Sequence, residues 1–406
     1  MICHKNVVPG ETEHEQQIQL ERMYKSKTRP VCPCRTPGID MYIAKVGDLY
    51  IVKRMPNTGG LHSPECDSYE PPAELSGLGE VMGSAIKEDA EQGITELKFA
   101  FSMTKLASRK MPTTSETVAD SVKSDGSKLT LRSTLHYLWE EAGFNRWTPA
   151  MAGKRNWYVI RKHLLQTAAD KLVKGHNLSE LLYIPESFSI EKKDAINQKR
   201  IAQMSRMITP NKTSRSLMMV IGEVKEFAAA RYGHKVVIKH APDFPFMIDD
   251  ESLNKLFKLF NTEVQLAELD DTHLIMVATF SMSFAGIASI EEIALMATTP
   301  NWIPFETVQE KVLIEQLTLN NRRFMKGLRY NLNAQKPLAC AVLTDTEPQP
   351  TALYIVPPEV EESYQLELDQ LIASSQLASW VWDSKEYDVP EMPPAADGSV
   401  SENTQV

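Results

Sequence analysis

Cys32-Pro33-Cys34, then His62-Ser63-Pro64-Glu65-Cys66, is the stretch on which the reading of this chain turns. Three thiols and one imidazole fall within the 35 positions from Cys32 to Cys66, spaced Cys-x-Cys-x27-His-x3-Cys. Between them run Met41-Tyr42-Ile43-Ala44-Lys45-Val46, then Gly47-Asp48, then Leu49-Tyr50-Ile51-Val52-Lys53-Arg54-Met55. Two β-branched and aromatic runs joined by Gly-Asp predict an antiparallel hairpin. A hairpin brings its open ends together, so the two ligand pairs become neighbours, as a tetrahedral Cys3His site requires. The expected cofactor is one structural Zn2+ held by Cys32, Cys34, His62 and Cys66. One residue between two thiols strains their reach to a single ion, and Pro33 fixes that turn. A redox Cys-x-Cys pair and unliganded thiols in a small core are the competing readings. Cys3 and His4 offer a replacement ligand. Four protein ligands leave no open position for water, which argues against catalytic zinc.

Outward from this stretch, the 406-residue length implies about two or three domains. A 42% hydrophobic and 24% charged composition is that of a soluble globular protein. No apolar run reaches the roughly 18 residues of a membrane span. The start, Met-Ile-Cys-His-Lys-Asn, has no apolar signal core, so a cytoplasmic protein without membrane contact is expected. Five cysteines, at 3, 32, 34, 66 and 340, are too few and too uneven for a disulfide framework, which favours metal binding. The net charge of −9 is unevenly spread. Residues 128–215 hold 16 Lys/Arg and 7 Asp/Glu, or +9, while residues 346–406 hold 1 and 12, or −11. A basic middle and an acidic end point to DNA as a partner, or to two faces of one chain docking on each other.

The pattern predicts an α+β (mixed α/β) fold in five parts. Residues 26–72 form the zinc hairpin, and 73–127 a strand and linker region. Residues 128–215 form a basic helical domain, and 216–383 a mixed sheet with helices. Residues 384–406, acidic and Pro-rich, read as a disordered tail. In the middle, Leu129, Leu131, Leu135, Leu138 and Trp139 give one helix an apolar face, and Gly143 to Pro149 breaks it. Trp157, Ile160, Leu164, Leu165, Ala168 and Leu172 define a second helix over about 154–174. Two helices across a Gly-containing turn suggest a helix-turn-helix unit. Arg146, Lys154, Arg155, Arg161 and Lys162 cluster where such a unit meets DNA, and are the expected nucleic-acid contacts. Ordinary all-α packing gives the same shape.

Two nuclease signals compete with this non-enzymatic reading. Glu223-Val224-Lys225 follows an apolar strand, a placement used by metal-dependent nucleases, but no acidic partner precedes it. Farther on, a helix with Glu310 and Glu315, short strands with Asp345 at one end, a helix and a last strand resemble a restriction-endonuclease core. Its third strand, Ala352-Leu353-Tyr354-Ile355-Val356, lacks Glu-x-Lys, so that core would be degenerate. No phosphate-binding loop, nucleophile elbow or His-Glu-x-x-His occurs. Trp139, Trp147 and Trp157 read as core. An interaction scaffold without nucleic-acid contact is the third reading.

The three cysteines Cys32, Cys34 and Cys66, with Trp139 to Trp147, Gly153 to Trp157, Gly222 to Phe227 and Trp302 to Glu306, resemble the bacterial domain-of-unknown-function family 1173 over about 30–360. The resemblance implies plasmids and integrative conjugative elements as the setting, with other proteins of the element as partners. It implies no activity.

Overall fold

The computed structural model of the chain describes residues 12–106, 126–205, 207, 214–386 and 388–396. Cys3, His4 and residues 107–125 of the expected strand and linker region lie outside the described residues. The fold is mixed α+β, with several separate sheets. Near the N-terminus the helix Glu13–Lys25 begins at a Thr12 capping box, in which Glu15 answers the Thr12 side chain. It covers one face of the expected hairpin, Ile39–Val46 against Leu49–Arg54, with Val46 opposite Leu49 across Gly47 at φ +60°. The short strand Val31–Cys32 adds to the hairpin edge. Leu20, Ile43 and Tyr50, and beside them on the same hairpin face Cys32, Met41 and Cys66, make up this module's two small buried clusters. So small a core is marginal without a further staple.

The centre of the molecule is a closed five-stranded barrel. Its strands, in chain order, are Met218–Ala229, His234–Ile238, Phe246–Ile248, His273–Met282 and Ala288–Thr298. Calling them one to five, strand one pairs with two, two with three and five with four, all antiparallel, while three and five are parallel. Strand four returns to strand one, Met218 opposite Phe280, and closes the circuit. Strand one can serve two partners because it bends. Its first half pairs with strand four and its second with strand two, with a bulge between Val224 and Glu226. Gly222 sits at this crossing, where a Cβ would lie 3.1 Å from Ile238. The order 1-2-3-5-4-1, with helices Asp250–Leu259 and Asn261–Leu266 between strands three and four, is that of the oligonucleotide/oligosaccharide-binding barrel.

Alternation along these strands separates two cores. Val220, Val224, Val236, Ile238, Phe246 and Phe280 fill the barrel. Met219, Ile221, Ile275 and Val277 point outward and are covered by helices Leu131–Glu141 and Trp157–Ala168, through Leu135, Leu138, Ile160 and Leu164. Strands one and four are therefore apolar on both faces, which explains their unbroken hydrophobic runs.

Residues 308–383 follow the expected order of helix, three short strands, helix and strand, the three strands pairing antiparallel and the last parallel. Helix Val308–Leu319 precedes strands Phe324–Lys326, Ala341–Leu343 and Thr351–Val356, and helix Glu362–Ser374 leads to Ala378–Asp383. Residues 388–396, read from composition as part of a disordered tail, lie on this sheet. Val389 and Met392 join its core, Trp380 Nε1 donates to Glu391 O (3.0 Å) and Arg322 donates to Pro393 O (2.7 Å). Among the described residues, no helix is long and apolar enough to cross a membrane.

Candidate metal centre

Each element around the cysteines has a local reason for its place. Cys32 ends the edge strand opposite Ile39, and Cys34 lies in the turn that follows. Gly38 permits that turn, since a Cβ there would lie 2.4 Å from Val31 Cγ1. On the far side, His62 closes the short helix Gly59–Leu61, its N–H bonded to Gly59 O (3.2 Å). Cys66 is brought round by its N–H to Ser63 O (2.8 Å).

The four side chains converge, with ligand atoms all within 4.8 Å of one another. Cys32 Sγ and Cys66 Sγ are 3.6 Å apart, His62 Nδ1 is 3.4 Å from Cys34 Sγ and 3.7 Å from Cys66 Sγ. A tetrahedron with Zn–S bonds of about 2.3 Å and a Zn–N bond of about 2.0 Å has edges of about 3.5–3.8 Å. Three of the six donor pairs therefore have the spacing of tetrahedral edges, and the other three lie within 4.8 Å. A disulfide is excluded, because 3.6 Å far exceeds the S–S bond of about 2.05 Å. Ser63 N–H and Ser68 N–H point at Cys34 Sγ and Cys66 Sγ (3.5 and 3.4 Å), as outer hydrogen bonds to thiolate ligands do. Burial pushes the Cys32 thiol up to about 12, raises Cys66 and lowers His62, which keeps the imidazole neutral and fit to ligate. A bound divalent cation would reverse the thiol shifts by deprotonating them. These residues fit a closed metal site, and zinc is the metal that Cys3His donors suit best.

The site is bolted to the rest of the chain. Arg146 donates to Cys66 O (3.1 Å) and Tyr69 O (2.5 Å). Lys53 pairs with Asp170, and Arg54 with Glu70. Asp170 also neighbours the fully buried Lys171 (3.4 Å), which binds Glu141 at 2.9 Å. Although burial alone would raise it, Lys171, Lys53 and Arg54 hold Glu141 down to about 2. Next to it, burial lifts Glu140 to about 8, and Tyr330 donates to it at 2.6 Å. A cleft between Glu70, Pro72, Glu140, Asn145 and Lys326 holds only about 20 Å3, room for a single water. The sequence reading did not single out this buried network, because charged residues on a helix or strand end read as solvated.

The five expected DNA contacts do not form one exposed set. Arg146 is committed to the Cys66–Tyr69 loop. Arg155 is folded inward, donating to Phe144 O (3.0 Å), Asn301 O (3.0 Å), Gly143 O (3.1 Å) and Arg146 O, and packing over the Phe144 and Trp147 rings. Arg161 Nε donates to Ile184 O (3.0 Å). Lys154 and Lys162 are exposed. The connection between the two helices contains the strand Arg146–Trp147, paired with Phe324 and Met325, so the short turn of a helix-turn-helix unit is not what joins them. Among the described residues, no ion pair links 128–215 to 346–396.

Glu223 is 4% exposed, and its carboxylate accepts from Lys239 Nζ (2.5 Å) and contacts His273 Nδ1 (2.7 Å). Despite burial, these partners hold it below the usual carboxylate range. Lys225 faces solvent, so the two do not share a site. In the C-terminal sheet, Glu310 pairs with Lys326 (3.3 Å) and Asp345 with Arg322 (2.8 Å), and the third strand carries no acid.

No curated protein and no solved structure matches the chain. Its sequence does match, over residues 5–385, the family described as "Protein of unknown function (DUF1173)". Matched over almost its entire length and bearing the clustered Cys32, Cys34 and Cys66, the chain belongs to the DUF1173 family.

Proposed function

We propose that the protein is a zinc-stapled, DNA-associated accessory protein without catalytic activity, working in the plasmid or integrative-element setting that its family resemblance implies. The observation that carries this reading is the closed five-stranded barrel in the order 1-2-3-5-4-1, an architecture that binds oligonucleotides on the face of strands two and three. The zinc braces the N-terminal module, which Arg146 and the Lys53–Asp170 pair tie to the body, and it has no position free for substrate. Exposed Lys162, with Arg161 beside it on helix Trp157–Ala168, and exposed Lys154 in the turn before that helix supply further phosphate contacts.

Non-enzymatic action is supported by the engaged Glu223 and by the acid-free third strand of the C-terminal sheet. Fluorescence anisotropy of labelled single-stranded and duplex DNA over a salt series tests the reading. Binding that weakens steeply with salt is expected, since phosphate contacts release counterions. No binding to either probe would overturn it, and Mg2+-dependent cleavage would replace it with a nuclease.

A further inference from the structure

Two turns at opposite ends of the barrel carry aromatic rings that the fold does not need. The first joins strands one and two and reads Ala230-Arg231-Tyr232-Gly233. It is closed by Ala230 N–H to Gly233 O (3.0 Å), with Gly233 at φ +69°. The second joins strands four and five and reads Ser283-Phe284-Ala285-Gly286-Ile287. Ser283 N–H to Ile287 O (2.9 Å), Gly286 N–H to Ser283 O (3.0 Å) and Ile287 N–H to Ser283 Oγ (3.1 Å) hold it shut, with Gly286 at φ +75°. Tyr232 is 78% exposed, Phe284 72% and Ile287 50%. Tight turns call for Gly, Asn or Asp, and an exposed ring on one gains nothing from burial. Both rings therefore stand on braced supports and face water.

Strand register fixes where they stand. His234, just after the first turn, pairs with Ile248, and Ala288, just after the second, pairs with Phe246. The two turns thus flank the third strand, two strand spacings across and two residues along, about 12 Å apart at their bases. Val236, Phe246, Ile248 and Ala288 point into the barrel. Alternation puts Lys235, Met247 and Ser289 on the outer face, where they are successive cross-strand neighbours. Arg231 lies over the Tyr232 ring at 5.5 Å. Arg231 and Lys235 form no ion pair among the described residues. Of the nearby acids, Asp249 caps Ser252 N–H (2.7 Å) and Asp250 contacts His234 (2.9 Å), while Glu226, exposed on the same outer face, forms no ion pair among the described residues.

We infer that this strip, from Tyr232 across Lys235, Met247 and Ser289 to Phe284, binds single-stranded DNA. The inference rests on the DNA-associated reading above and deepens it. Bases stack on Tyr232 and Phe284, and Arg231 and Lys235 meet the phosphates. A duplex keeps its base faces internally stacked, so two separated rings select an open strand. Every base has a stacking face, so little sequence preference is expected.

The test uses full-length, zinc-loaded protein and fluorescein-labelled oligo(dT) of about 20 nucleotides, long enough to cover one such site, beside a duplex of the same length. Wild type should bind oligo(dT) more tightly than duplex. Tyr232→Ala and Phe284→Ala should each weaken oligo(dT) binding roughly 5- to 150-fold, the range for losing one stacked base. Tyr232→Trp and Phe284→Trp should stay within about threefold of wild type, since the stacking face is kept. Circular dichroism and zinc content confirm that the variants fold. A double alanine variant that binds oligo(dT) like wild type overturns this site and leaves the DNA-associated reading standing. Wild type that binds neither probe overturns both, and leaves the exposed rings to a protein partner.

Discussion

Arg155 separates a structural role from a DNA-contacting one. Its guanidinium donates to the carbonyls of Gly143, Phe144, Arg146 and Asn301, joining the inter-helix connection to the loop after barrel strand five. Burial pulls its pKa down only to about 10, so it is charged at neutral pH. Each hydrogen bond from a charged donor contributes about 1.5–3 kcal/mol, so four give a gross 6–12 kcal/mol. Relaxation and water entering the vacated space offset roughly half, leaving a net cost of about 3–6 kcal/mol for Arg155→Ala. Urea unfolding followed by tryptophan fluorescence reads this well, because Trp139, Trp147 and Trp157 are buried in the same region. The expected result is a clearly lowered midpoint in Arg155→Ala, only partly restored in Arg155→Lys, which lacks the planar fork. A variant with a wild-type midpoint and lost DNA affinity would refute the reasoning and return Arg155 to the surface role its charge first suggests.

Three further outcomes follow from the same geometry. Glu140 has a folded-state pKa of about 8 against an ordinary 4.5, so its stabilising share is complete below about pH 4.5 and is lost as pH rises to 8. Glu140→Gln should therefore gain on wild type between pH 5 and 8, by up to ~1.4 kcal/mol per unit, in urea midpoints measured across that range; a constant difference would contradict it. Lys154→Ala with Lys162→Ala should change stability by no more than about 0.5 kcal/mol and lower the salt slope of duplex binding by about 2; an unchanged slope removes this helix from the interface. Wild type should not cleave DNA with Mg2+ or Mn2+, and Glu223→Ala should cost about 1–2 kcal/mol by leaving His273 and the half-exposed Lys239 without their acceptor; nicking that vanishes in the variant would restore the nuclease reading.

Local signals carried much of the fold. The Gly47-Asp48 hairpin, the four candidate ligands and the helix–strand order from 306 to 383 are all set by short-range patterns, and the structure has them. Barrel closure was not legible, because it depends on register between distant strands. Strand three, Phe246–Ile248, has only three residues and follows Pro245, too short for any periodicity. The packing of 388–396 was hidden for a related reason. Two apolar residues, Val389 and Met392, and carbonyls that accept from Trp380 and Arg322 hold an otherwise polar, Pro-rich segment. Charge counting misjudged Arg146 and Arg155, since composition shows a cation but not the carbonyls waiting for it. Tyr232 and Phe284 carry only a faint sequence signal, rings near Gly233 and Gly286 in turns between strands.

The central claim is that Cys32, Cys34, His62 and Cys66 hold one structural zinc. Metal bound by such a set contributes on the order of 10 kcal/mol to folding a small module, far more than the few buried residues here. The direct measurement is elemental analysis of the full chain purified under reducing, chelator-free conditions, with limited proteolysis of the hairpin in parallel. The account predicts one zinc per chain, lost in Cys34→Ser together with protease resistance of residues 30–70. A wild-type protein free of zinc, its thiols reduced and its hairpin still protected, would contradict it.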